Sequence, residues 1–101
     1  MNFEQKEALA RTRKSDPEAI RARLKAARVV VGLGQKEFAE AVQVKQTTYN
    51  SQEIKGRPSL EVIRYLHTNH RIDANFILFG DFVQLPGDIQ TALFEALSSH
   101  D

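Results

Sequence analysis

The chain contains no cysteine, which excludes disulfides, thiolate nucleophiles and cysteine-ligated zinc together. It also lacks any apolar run near the ~18 residues that a bilayer-spanning helix needs. Its first residues, "MNFEQKEALARTRK", are too charged for a signal peptide. A cytoplasmic protein without membrane contact is the expectation. Strand signals are thin, "DFVQL" being the one candidate, and no repeat or low-complexity tract is present. Lysine and arginine are missing from residues 72–101, which carry five acids and a net charge of −5. Residues 1–71 hold all 14 basic residues against eight acids, a net +6 hidden by the chain's overall +1. Such asymmetry points to nucleic-acid contact by the basic part, or to a solvated basic face.

What is present suits one small domain of 101 residues: 42% hydrophobic and 27% charged residues argue against wholesale disorder. The pattern is all-α. Residues 1–14 form an arm or short helix with only Phe3 and Leu9 as large apolar residues, either frayed or ordered against a partner. "SDPE" at 15–18 fits a capping box of Ser15 and Glu18 with Pro17 in the first turn. Ile20, Leu24, Ala27 and Val31 then recur at helical spacing up to Gly32, with Arg21, Arg23, Lys25 and Arg28 spread around the cylinder. "LGQKEFAEAV" buries Phe38, Ala39 and Val42. Ser59 caps a helix "LEVIRYLHTNH" whose inward set is Leu60, Ile63 and Leu66. "DANFILFG" closes at Gly80, and "IQTALFEALSSH" at 89–100 carries Ile89, Leu93, Phe94 and Leu97 on one stripe.

One stretch does not fit a purely structural role. "VKQTTYNSQEIKG", residues 44–56, has the length of a helix ended by glycine, yet it is mostly neutral and polar. A helix docks through an apolar face, and a merely soluble surface is richer in charge. On a helical wheel Thr48, Tyr49 and Gln52 gather on one side, with Tyr49 as inward anchor. Gln46, Thr47, Asn50 and Ser51 gather on the other. These are the side chains that read base edges: Gln and Asn pair bidentately with adenine, and a Thr methyl packs on thymine's. The helix over 35–42 precedes it by only three or four residues, the spacing of a helix-turn-helix.

With these residues in place, positions 20–80 resemble the Xre/Cro-repressor family of helix-turn-helix transcriptional regulators, of phage and prophage type. The resemblance rests on "LGQKEFAEAVQVKQTTYNSQEIKGRPSLEVIRYL" and "IDANFILFG": Gln35 opening the second helix, Glu53 closing the recognition helix, then Pro58–Leu60 and Ile77–Gly80. It implies a lambda-repressor-like five-helix domain over 15–80 and a dimer on double-stranded DNA; the helix read within 81–101 is an addition beyond the family pattern. It further implies base reading by Gln46, Thr47, Asn50 and Ser51, and phosphate contact by Gln35, Lys45, Lys55 and Arg57. Glu53 takes the position of a residue that supports the fold. Three departures stand out: Gln43 where the tight turn usually has Gly, Lys45 where a Ser or Thr cap is usual, and Gln52 at an apolar inward position.

Other chemistry has little footing. His67, His70 and Asp73 recur at i, i+3 and i+6, but across an expected helix end, so a surface or capping role is expected rather than a metal site. "GLG" and "LFGD" lack the strand-to-helix setting of phosphate loops. Neither an enzyme nor a cofactor is expected. The stripe Ile89, Leu93, Phe94 and Leu97 serves either dimerisation or packing on its own domain, against Phe3 and Leu9. A protein-binding alternative remains: an antitoxin-like or phage adaptor protein, with a partner such as a toxin, acting through the C-terminal third.

Overall fold

The computed structural model describes residues 1–99. Among them the chain is all-helical: α1 (Phe3–Ala10), α2 (Pro17–Val31), α3 (Gln35–Ala41), α4 (Gln46–Lys55), α5 (Leu60–His70), α6 (Ala74–Phe79) and α7 (Gly87–Ser98). "DFVQL" is a turn rather than a strand, and it tucks Phe82 and Leu85 into the core. Helix α2 is the centre. Its buried residues Ala19, Ile20, Leu24, Ala26 and Ala27 let α4, α6 and α7 pack around it, because small side chains at helical spacing admit close neighbours. Phe38, Tyr49, Val62, Leu66, Phe76 and Ile77 complete the interior from α3 to α6. On α5 the inward pair is Val62 and Leu66, while Leu60, expected inside, is exposed.

The segments drawn at 1–14, 15–80 and 81–101 all contribute to this core, through Ala10, the central helices, and Leu93 with Phe94. The radius of gyration is 12.4 Å, against ~13 Å for one packed unit of about 100 residues. The segments are therefore not separate bodies.

The N-terminal arm is neither frayed nor waiting for a partner. A capping box does occur, but on α1: Gln5 N–H donates to Asn2 Oδ1 (2.8 Å) and Asn2 N–H to Gln5 Oε1 (2.9 Å). The helix stops at Ala10, and the following turn is tied to the end of α6. Arg13 N–H donates to Phe79 O (2.8 Å), Thr12 Oγ1 to Gly80 O (2.9 Å) and Ser15 Oγ to Leu78 O (2.6 Å). Ser15 is thus not the cap of α2. Asp16 holds that position without a side-chain bond, and the Ser15 hydroxyl instead meets Leu78 O in the last turn of α6, where carbonyls lack helical partners.

Arg23 is the unforeseen centre of this arrangement. It is fully buried, and each of its five N–H groups meets a main-chain carbonyl. Nε reaches Ile77 (3.0 Å), Nη1 reaches Ala10 (2.8 Å) and Arg11 (3.1 Å), and Nη2 reaches Lys14 (2.7 Å) and Leu78 (3.0 Å). Carbonyls at the C-terminal ends of α1 and α6 carry the negative pole of each helix, so the cation is matched by dipoles instead of a carboxylate. Burial lowers its pKa to about 10, with the charge of Asp16 opposing, and it stays protonated at neutral pH. Gly80 makes the approach possible: its φ is +77°, and a Cβ there would lie 2.7 Å from Ala10 O.

The C-terminal stripe is also spent inside the chain. Leu93 and Phe94 are buried, and Ile89 and Leu97 pack half-buried against the same core. Helix α7 lies along α2 and α1. The Phe94 ring meets Phe82 edge-on at 5.1 Å, Phe82 meets Phe3 at 5.4 Å, and the Lys6 ammonium sits 5.7 Å from the Phe94 centroid. The dimerisation role expected of Leu93 and Phe94 is corrected on this ground: side chains already out of water on their own domain have no apolar area to offer a second copy. The expected helix reached residue 100, which lies outside the described residues.

Candidate nucleic-acid interface

Helices α3 and α4 are joined by a turn that the residue types make costly but feasible. Gln43 adopts φ +62°, the left-handed region where Gly is easiest and where another residue costs about 1 kcal/mol. Its N–H donates to Glu40 O (3.1 Å), and Val44 N–H donates to Ala39 O (3.0 Å), closing α3. Lys45 begins α4 with extended backbone and no side-chain cap, so its side chain satisfies none of the first amide groups of α4. At the other end Gly56 (φ +64°) sits so close to α2 that a Cβ would collide with Pro17 O and lie 2.8 Å from Pro17 Cα. No other residue fits there, and the end of α4 is held against the start of α2.

The inner side of α4 is fixed by a charged network. Tyr49 is fully buried, its ring 4.8 Å from Phe38, and one turn later Glu53 is 4% exposed. Glu53 Oε1 accepts from Arg28 Nε (2.9 Å) and from the Tyr49 hydroxyl (2.9 Å), and Oε2 accepts from Gln35 Nε2 (2.6 Å). Arg28 also donates through Nη1 to Leu33 O (3.1 Å). Burial alone would raise the Glu53 pKa. The hydrogen bonds from Arg28 and Gln35, the Arg28 charge and the Tyr49 hydroxyl outweigh it and hold the carboxyl below its ordinary value. Burial and the Glu53 charge push the Tyr49 phenol up. One carboxylate thus ties α2, α3 and α4 together. The visible signal was Tyr49 and Glu53 at i, i+4; Arg28 and Gln35 lie 25 and 18 residues away.

The outward face of α4 differs from the one drawn on the wheel. Gln46 and Thr47 are exposed as expected, and Ser51 is half-buried. Thr48, placed inward beside Tyr49, is exposed, and Ile54 is 56% exposed. The outward stripe therefore runs Thr47, Ser51, Ile54, with Thr48 and Lys55 beside it. Asn50 does not join it. Its Oδ1 is buried and finds no partner among the described residues, while bidentate pairing with adenine needs both the amide oxygen and the amide nitrogen. Gln52, the polar residue at an inward position, has its own use: Oε1 accepts from Ser59 N–H (2.8 Å) and steadies the entry to α5. Asn50→Ala is expected to leave base preference unchanged and stability within about 1 kcal/mol of the parent, since it deletes an unpaired acceptor. Urea unfolding and a competition between DNA sequences check both halves.

The cations expected near phosphate divide in the same way. Lys45, Lys55 and Arg57 are exposed at the two ends of α4 and in the loop after it. Gln35 is half-buried, with its amide nitrogen turned to Glu53. Arg23 and Arg28 of α2 are structural, which leaves Arg21 and Lys25 as that helix's exposed bases. His67 is exposed, His70 Nε2 lies 3.3 Å from the Tyr65 hydroxyl, and Asp73 Oδ1 caps α6 by accepting from Phe76 N–H (2.9 Å). No cluster of three metal-binding side chains occurs among the described residues. Nor is any helix there long and apolar enough to cross a membrane. Comparison with protein-family models, curated proteins and solved structures finds no match to this chain.

Proposed function

We propose that the protein is a sequence-specific DNA-binding transcriptional regulator, a repressor of the Xre/Cro type with a lambda-repressor-like domain, working in the cytoplasm without a cofactor. Helix α4 enters the major groove, and two copies occupy a two-fold operator, blocking polymerase by occupancy. The observation that carries this reading is the asymmetry of α4. Its inner side is locked by Tyr49 and the Glu53 network, while its outer side presents Gln46, Thr47, Thr48 and Ser51 between exposed Lys45, Lys55 and Arg57. Neutral donors and acceptors discriminate bases, and flanking cations hold the backbone. The role is binding and not catalysis.

Selection of bound sequences from a random DNA pool tests the reading directly. Enrichment of a two-fold site supports it, and a pool that stays random sinks it. Arg57→Ala is expected to weaken binding to selected and random DNA alike, and to lower the slope of log affinity against log salt by about one phosphate contact. An unchanged slope removes Arg57 from the interface.

A protein-binding role, as an antitoxin-like or phage adaptor protein, keeps one observation in its favour. Val83 is 69% exposed and Phe3 is 55% exposed, and both line one shallow surface depression with Phe82. Glu7, Arg13 and Asp81 line the same depression, and binding through its apolar residues would respond to salt less steeply than binding that neutralises a row of phosphates, which separates it from DNA binding.

A further inference from the structure

Ile54 is the one aliphatic side chain on the outward face of α4. It is more than half exposed and lies outside the core cluster. A β-branched side chain at a solvent-facing helix position gains no packing and loses χ1 freedom. Lone exposed apolar residues are common and by themselves mean nothing. This one, however, ends the outward stripe Thr47, Ser51, Ile54 at i, i+4, i+7, on a helix whose remaining outward residues are polar. Its stiff χ1 makes it a fixed apolar knob. Exposed Lys55 and Arg57 stand just beyond it.

We infer that Ile54 is a specificity-determining residue that reads the 5-methyl group of a pyrimidine in the major groove; the inference rests on the DNA-binding role proposed above. The 5-methyl of thymine is the one apolar group on the groove's edge, and Ile54 has no polar atom with which to read anything else. Ile54 lies about 10 Å along the helix axis from Thr47. At about 3.4 Å per base pair, its target falls about three base pairs from the pair Thr47 meets. A 5-methylcytosine displays the same methyl, so it too should be read.

The experiment uses the full chain and the sequence selected from the random pool. Each thymine is replaced in turn by deoxyuridine, which removes only the methyl, and affinity is measured for the parent, Ile54→Ala and Ile54→Val. In the parent, one thymine per half-site should cost about fourfold when replaced, the worth of one buried methyl. Ile54→Ala should show no penalty there, and Ile54→Val should keep most of it. At the same position cytosine should bind better to the parent once methylated, and equally well to Ile54→Ala either way. Equal deoxyuridine penalties in parent and Ile54→Ala overturn the inference while leaving sequence-specific binding intact. A penalty that vanishes with Thr47→Ser instead assigns the methyl to Thr47 and overturns it as well. A pool from which nothing is enriched overturns the inference together with the reading beneath it.

Discussion

Arg23→Met is expected to cost about 4–5 kcal/mol of folding stability and to release α1 from the domain. Methionine fills much of the same space but donates nothing, so five carbonyls lose their partner at once. A buried acceptor stripped of its donor costs about 1–3 kcal/mol. Several of these carbonyls are only part-buried, so the sum falls short of five full penalties. Small domains hold about 5–15 kcal/mol in all, which puts the variant near the edge of folding. Lysine is no substitute, since a point ammonium cannot span carbonyls from two helix ends as a planar fork does. Urea unfolding gives the loss, and hydrogen exchange should show the α1 amides opening first. A variant within 1 kcal/mol of the parent would mean that the carbonyls find other partners.

The second large effect belongs to Glu53. Glu53→Ala is expected to cost about 3–5 kcal/mol, the usual penalty for stranding one partner of a buried ion pair. The Arg28 side chain is 12% exposed, and its Nε donates to Glu53 Oε1 at 2.9 Å. Gln35 and the buried Tyr49 hydroxyl lose their acceptor in the same stroke. Because the folded-state pKa lies below the ordinary value, the carboxylate's stabilisation is fully present above the unfolded pKa. It drains away as pH falls through the folded one. Glu53→Gln has no such proton to take up. The stability gap between parent and Glu53→Gln should therefore be widest near pH 7 and shrink below about pH 4. Urea midpoints across that range decide it, and a gap independent of pH would show that the charge is not what holds the network.

The helices themselves were largely legible, and for local reasons. Left-handed Gly32, Gly56 and Gly80, the Ser59 cap on Val62 N–H, Tyr49 as an inward anchor and a left-handed Gln43 all depend on residues within a turn of one another. Failures came where two distant segments compete for one side chain. Ser15 looked like a cap because nothing in "SDPE" shows that Leu78 O is near. Arg23 did leave a trace, since it sits three residues after Ile20 and four before Ala27, in the middle of the apolar arc of α2. A lone cation there reads as noise until the carbonyls that need it are known. The stripe on α7 was seen, but an amphipathic helix does not say which surface it covers. On α4 the inward side lies about one residue away from the cluster Thr48, Tyr49 and Gln52 that the wheel gathers. Glu53, buried a turn after Tyr49, swings it away from Thr48 and leaves Asn50 at the margin.

Arg23 also sets an order of events in time. Three of its acceptors lie 9 to 13 residues before it, whereas Ile77 and Leu78 lie 54 and 55 residues after it. A chain made from its N-terminus has α1 and the arginine in hand long before α6 exists. Until then the guanidinium stays hydrated, and the turn after Ala10 lacks the carbonyls of residues 78–80 that anchor Thr12, Arg13 and Ser15. The first helix of the sequence should thus be among the last to gain protection, and pulse-labelled refolding should find its amides shielded no earlier than those of α6.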